Sequence, residues 1–275
     1  KTYGQGVMST SSKRFNRIIH SSNRRRGGAG GGYAGPYSSI KSLGDWQMFF
    51  AMETQPELTD GTAVVTIDDE FESIGYTAPS VSERATYGTS LQNSLPGLQF
   101  DGTDDGAYSN TSDDTTTDII RSDVWTWFTV FKFDSTSGWQ GLYGSTSADI
   151  LYPFLIILNR TSAGKVNIYS YAGNAYTGEQ STTMSTSTTY FLAYVHDYGN
   201  SREEWYLNGV DDSGSMSNVS FSGSGATNPP YIIGDGGFGV SFGGDVFVMG
   251  LCKDALSSGN IATMHTTLND VWSYV

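Results

Sequence analysis

The feature that most constrains this chain is an alternation of apolar and polar side chains that returns in seven short segments. They are Val124 to Phe133 (VWTWFTVFKF), Ile150 to Leu158, Lys165 to Tyr171, Tyr190 to His196, Glu204 to Leu207, Tyr231 to Ile233 and Val246 to Leu251. Successive side chains of a strand point to opposite faces, so such a pattern buries one face of a sheet. Between the segments lie Asn208-Gly209, Gly173-Asn174, Gly199-Asn200 and Gly234-Asp235-Gly236-Gly237, residues that accept positive φ and allow tight reversals. Short connections make antiparallel neighbours. The expectation is an all-β, antiparallel β-sandwich.

One segment follows a different period. After Ser257-Ser258, which suit helix N-caps, Ile261, Met264, His265, Leu268, Val271 and Trp272 fall at helical spacing. A short C-terminal amphipathic helix is therefore expected to pack on the sandwich. No repeat with a period of about 20 to 50 residues is visible, which argues against solenoids and propellers.

The 275 residues suit a single large sandwich. Cys252 stands alone, which excludes an intrachain disulfide and a cysteine zinc cage and is compatible with assembly in a reducing cytoplasm. The longest apolar run, Phe154 to Leu158, falls far short of the ~18 residues of a spanning helix, so no membrane span is expected.

Charge divides the chain. Residues 1–44 contain Lys1, Lys13, Arg14, Arg17, Arg24, Arg25, Arg26 and Lys41 and no acid, a charge of +8. The remaining seven basic residues face all 28 acidic ones, so residues 45–275 carry −21. Gly27 to Pro36 is a glycine tract that holds neither helix nor strand without outside help. The reading is thus a basic, extended N-terminal arm (1–44) before one sandwich (45–275). A basic arm docks on an acidic protein surface or on nucleic acid, and Arg14, Arg17, Arg24, Arg25, Arg26 and Tyr33 are the expected assembly anchor.

Three stretches, in order, resemble laminin G-like/concanavalin A-like jelly-roll modules of bacterial surface proteins and bacteriophage virion proteins. The first is Leu95-Pro-Gly-Leu-Gln-Phe-Asp-Gly-Thr-Asp-Asp105. The second runs from Tyr190 to Val210 and contains the Leu207-Asn208-Gly209 turn. The third comprises Tyr231-Ile-Ile-Gly234, Phe242-Gly-Gly-Asp-Val-Phe-Val248 and Leu256-Ser-Ser-Gly-Asn-Ile261. The resemblance covers roughly residues 95 to 272 and implies a jelly roll; the arm has no counterpart in it.

Candidate chemistry is sparse. Asp101, Asp104 and Asp105 are hard oxygen ligands of the kind calcium selects, and some modules of this family bind calcium; the same string also suits a hairpin turn. No other cofactor is expected. Relatives that cleave glycans carry alternating acids on one strand, and Asp68-Asp69-Glu70-Phe71-Glu72 is the nearest approach, read here as a solvated acidic loop. His20, His196 and His265 lie in no motif, although His196 and Asp197 with one of many serines would spell a triad. Gly234 to Gly239 lacks the lysine and following helix of a phosphate cradle. Sugars stack on flat rings, and Trp139, Tyr143, Tyr171, Tyr176 and Phe238 sit in or beside loops.

These features together point to a non-enzymatic virion structural protein, a phage capsid-decoration, tail or fibre component. Its arm would dock on other virion proteins or copies of itself, with nucleic acid as a further partner, while the jelly roll binds protein or a host-surface glycan. The alternative is a carbohydrate-binding lectin that is secreted or placed on the bacterial cell surface; a glycoside hydrolase is third.

Overall fold

The structure is a computed structural model that describes residues 37–55, 58–71, 75–78, 80–106, 108–109, 123–145, 154–170, 175–221, 231–234 and 240–275. The compact unit that holds them runs from Gly35 to Val275. It therefore begins before residue 45. Tyr37 and Ile40 are fully buried, and Trp46 Nε1 donates to the Ile40 carbonyl at 2.8 Å across the short helix α1 (Ser38–Lys41). The arm's anchor residues, Arg14, Arg17, Arg24, Arg25, Arg26 and Tyr33, lie outside the described residues.

In chain order the strands are β1 (Trp46–Ala51), β2 (Thr62–Ala63), β3 (Thr66–Asp68), β4 (Gly75–Thr77), β5 (Thr86–Gln92), β6 (Leu95–Asp101), β7 (Tyr108–Ser109), β8 (Val124–Phe133) and β9 (Gln140–Ser145). They continue with β10 (Phe154–Leu158), β11 (Val166–Ser170), β12 (Ala175–Glu179), β13 (Tyr190–Asp197), β14 (Arg202–Leu207), β15 (Val210–Asp211), β16 (Tyr231–Ile233) and β17 (Gly243–Cys252). Two sheets form. The first has the order β15-β14-β13-β8-β17-β6-β5-β2, with β1 also paired to β17; the second has the order β12-β11-β10-β9-β16-β7-β4-β3. Every pairing among the described residues is antiparallel, as the short connections require.

The core follows from the alternation. Trp125 and Trp127 on β8 are register partners of His196 and Tyr194 on β13, and all four are fully buried. Trp127 stacks on Tyr143 of β9 with ring centroids 6.3 Å apart, which joins the two sheets. The expected helix is α2 (Ser258–Trp272), capped by Ser257 Oγ, which accepts from Asn260 N at 3.2 Å. Its Ile261, Met264, Leu268 and Trp272 are buried against the first sheet, Trp272 lying 5.3 Å from Phe247 of β17. The β5–β6 turn satisfies the helix's terminal carbonyls, since Gln92 Nε2 and Asn93 Nδ2 donate to Trp272 O and Val271 O. At the β14–β15 hairpin, Asn208 and Gly209 both adopt positive φ, the conformation expected of that turn.

A strap of residues 212–221 runs from β15 along β12 and back to the start of β8. Asp212 N donates to Trp205 O, Ser181 N to Asp212 O, and Ser217 N to Thr177 O. The strap thereby covers the edges that β14 and β12 would otherwise leave unpaired. Among the described residues no helix is long and apolar enough to cross a membrane.

Candidate functional site

At one end of the sandwich the last residues of β6, β8 and β10 meet the first residues of β9, β11 and β17. The link from β8 to β9, residues 134–139, is pinned there. Ser135 O accepts from Gln140 Nε2 at 2.8 Å and from Asn159 Nδ2 at 3.0 Å, while Asp134 N donates to Gly243 O. Gly138 has φ +74 and open space around it, a turn that sets Trp139 outward with 45% of its surface exposed. The guanidinium carbon of Arg160, on the neighbouring β10–β11 turn, lies 3.7 Å from the Trp139 ring centroid. This cation–π contact fixes the plane of an exposed indole. The turn that carries Arg160 is itself braced: Gly164 N donates to Asn159 Oδ1 at 2.7 Å, and Ser162 Oγ and Thr161 Oγ1 both donate to Glu179.

The same end carries the acidic turn after β6. Asp101 Oδ1 accepts from Thr103 N at 2.7 Å and Asp104 N at 3.3 Å, and Asp105 Oδ2 accepts from Asp101 N at 2.8 Å. Gly102, at φ +75, passes close to Gly243, whose N–H bonds Gln140 Oε1, so this turn adjoins the Trp139 link. One oxygen from each of Asp101, Asp104 and Asp105 falls within 4.8 Å of the others. Burial pushes the Asp105 carboxyl above the ordinary carboxylate range; the Asp101 amide partly offsets this, and the nearby Asp101 and Asp104 charges add to it. Such donors suit a hard cation. Two of their six oxygens already serve backbone amides, so a calcium shell of about six to eight oxygens would need carbonyls or water as well.

Other expected site residues fall elsewhere. Tyr143 is fully buried in the core against Trp127, because β9 pairs in a register that turns its ring inward, so it offers no face to a sugar. Tyr171 and Phe238 lie outside the described residues; Tyr176 pairs with Tyr169 in the β11–β12 register, and its side chain lies outside the description. The acidic stretch after Asp68 is not a solvated loop. Asp69 is buried, its two oxygens accepting from Phe49 N and Phe71 N at 2.7 and 2.8 Å, and Glu70 accepts from Thr54 Oγ1 and Gln55 Nε2. Glu72 lies outside the described residues.

The opposite end holds a polar cluster that no sequence motif marked. His196 Nδ1 lies 2.9 Å from Glu203 Oε1 and its Nε2 3.4 Å from Asp123 Oδ1, with Tyr194 OH donating to Glu203 Oε2. The two acids also hold the strap: Val219 N donates to Glu203, and Phe221 N and Ser220 Oγ donate to Asp123. Asp197, next to His196 in sequence, caps the turn at 198–200 by accepting from Asn200. His196 is fully buried beneath Trp125 and Phe221, so these groups bind the fold together and do not face a substrate.

No protein-family model matches the sequence, and no curated protein matches it. Solved structures do. Trypanosoma rangeli sialidase aligns with a TM-score of 0.54 at 15% identity, over 80% of this chain and 32% of the sialidase chain. The same enzyme with 2,3-difluorosialic acid, as a covalent intermediate, gives 0.54 at 14% identity over 83% of this chain and 33% of the other. The CBM40 module of the Ruminococcus gnavus IT-sialidase, bound to α2,3-sialyllactose, gives 0.50 at 16% identity over 62% of this chain and 96% of that module. This chain thus corresponds to about a third of the sialidase and to nearly the whole of the CBM40 module. The likenesses show a jelly-roll β-sandwich of the concanavalin A-like kind.

Proposed function

We propose that this chain is a carbohydrate-binding module that holds a glycan at the Trp139 end without cleaving it. The observation that carries the proposal is Trp139 itself, a half-exposed indole oriented by Arg160 and set among loop hydroxyls and acids. A flat ring held in place offers a sugar its apolar face at little entropic cost, and neighbouring Asp, Ser and Gln groups accept or donate to hydroxyls. The likeness to the CBM40 module over nearly its whole length supports a binding role for a sandwich of this size. The likeness to a glycan-binding module favours a secreted or cell-surface carrier over the virion carrier that the sequence resemblance and the basic arm suggested.

A glycan array followed by calorimetry on the best sugar tests this reading. Trp139→Ala is expected to weaken binding about tenfold or more, or about 1.4 kcal/mol, and to leave the melting temperature nearly unchanged. Unchanged affinity in Trp139→Ala, or release of reducing sugar by the wild-type chain, would overturn it.

A further inference from the structure

After α2 the chain reverses and folds back on the helix. Ser273, at φ +48, takes the left-handed conformation of a C-cap, and its N–H donates to Asn269 O at 2.8 Å. Asn269 Oδ1 then accepts from Tyr274 N and Val275 N at 2.9 and 3.1 Å, and the Tyr274 hydroxyl donates to His265 O at 3.2 Å. Residues 273–275 are thus a short flap, fastened to one helix through an asparagine and a phenol.

The flap covers an imidazole. The Tyr274 ring meets His265 edge to face at 5.6 Å, Phe191 of β13 lies 5.6 Å from it, and a Cβ on Gly209 of the β14–β15 turn would come within 2.8 Å of its ring. His265 Nε2 is buried without a hydrogen-bond partner among the described residues. Burial alone lowers the imidazole below the ordinary histidine range; Asp270 of α2 and Asp211 of β15 add nothing to that shift. The titratable group set against it, the Tyr274 phenol, is itself pushed up by burial and stays neutral. An imidazolium donates from both nitrogens, so a proton on Nε2 calls for an acceptor that the closed pocket does not offer. The walls differ in how readily they yield. Phe191 lies within β13, paired on both sides, and Asn208 holds the Gly209 turn by bonds to the Phe191 backbone in both directions. The flap has only its bonds to α2.

We propose that residues 273–275 are an acid-released flap: Tyr274 closes over a neutral His265, and protonation of His265 swings it open, admitting water to the ring and uncovering the surface beside Phe191. The sign follows from linkage. Closed, His265 binds a proton less readily than when open, so acid favours the open state, and release begins as pH falls through the ordinary value of 6.5.

Residue-resolved amide exchange and histidine titration by NMR, on the full chain, test the proposal. Corrected for intrinsic exchange, protection of the Tyr274 and Val275 amides is expected to fall about fivefold or more from pH 7.5 to 5.5, in step with the His265 titration. His265→Gln, which takes up no proton, should hold that protection constant across the interval. Tyr274→Ala removes the cover and should move the His265 titration up towards 6.5. Protection independent of pH in the wild type, the same fall in His265→Gln, or a His265 titration unaltered by Tyr274→Ala would each overturn the proposal. Should His265→Gln fail to fold, the wild type and Tyr274→Ala decide between them.

Discussion

The two ends of the sandwich use acidic residues in opposite ways. At the Trp139 end, Asp101 and Asp104 are exposed beside the buried Asp105, and among the described residues Asp101 accepts from amides of its own turn. At the strap end, Glu203 is buried and Asp123 nearly so, and between them they bond an imidazole and a phenol of β13 and a serine and two backbone amides of the strap. Water screens a surface acid, so its neighbours matter little; a buried one is tolerable only when fully bonded. Substitutions at the strap end should therefore act on folding, and those at the Trp139 end on binding.

The largest effect is expected for Glu203→Leu. It strands His196 Nδ1, the Tyr194 hydroxyl and the Val219 amide in the interior, a loss of about 3–5 kcal/mol read as a lower urea midpoint. A loss below about 1 kcal/mol would mean that the cluster is incidental to folding and would erase the contrast between the ends.

Another acid, whose carboxyl oxygens are buried, sharpens the comparison because no other side chain bonds it. Both oxygens of Glu53 are buried, and burial pushes its carboxyl up to about 8 from 4.5, offset in part by its own backbone amide and reinforced by the Glu70 charge. The folded state then holds a proton that the unfolded state releases, so stability is highest below pH 4.5 and falls as pH rises towards 8. Glu53→Gln removes the titration and is expected to be more stable than wild type by about 3 kcal/mol at pH 7 and equal to it near pH 4. Denaturation curves at the two pH values check this; equal differences at both would show that Glu53 reaches water.

How far the fold was legible depends on whether local pattern or long-range register decides each piece. The run VWTWFTVFKF matches β8 from Val124 to Phe133, and the spacing of Ile261, Met264, Leu268 and Trp272 matches the buried face of α2. By contrast β1 is apolar along almost its whole length because both its faces are covered, so alternation could not reveal it. β9 contains two glycines and exists through its pairing with β10 and β16. The strap-end cluster was illegible for the same reason. Asp123 and His196 are 73 positions apart, and only the registers of β13 with β8 and β14 bring Asp123, His196 and Glu203 together. At the Trp139 end the aromatic could be picked out from its glycine and serine neighbours, whereas Arg160 meets it across a turn that carries no motif.

The smallest effect is expected at the acidic turn, from Asp105→Asn. The new amide oxygen still accepts from Asp101 N, and one of three crowded like charges disappears. Because burial and its acidic neighbours raise the Asp105 carboxyl, the folded wild type binds its proton more tightly than the unfolded chain does. Wild-type stability is therefore present below the ordinary carboxylate range and falls as pH rises through the raised value, and Asp105→Asn removes that fall. The gain at pH 7 should stay within about 1 kcal/mol and diminish in salt, since Asp101 and Asp104 are exposed. Denaturation at pH 7, in EDTA and in calcium, checks it. A variant that is less stable than wild type, and more so in calcium than in EDTA, would mean that the three carboxylates hold a cation; the Trp139 end would then depend on bound charge as much as the strap end depends on buried bonds.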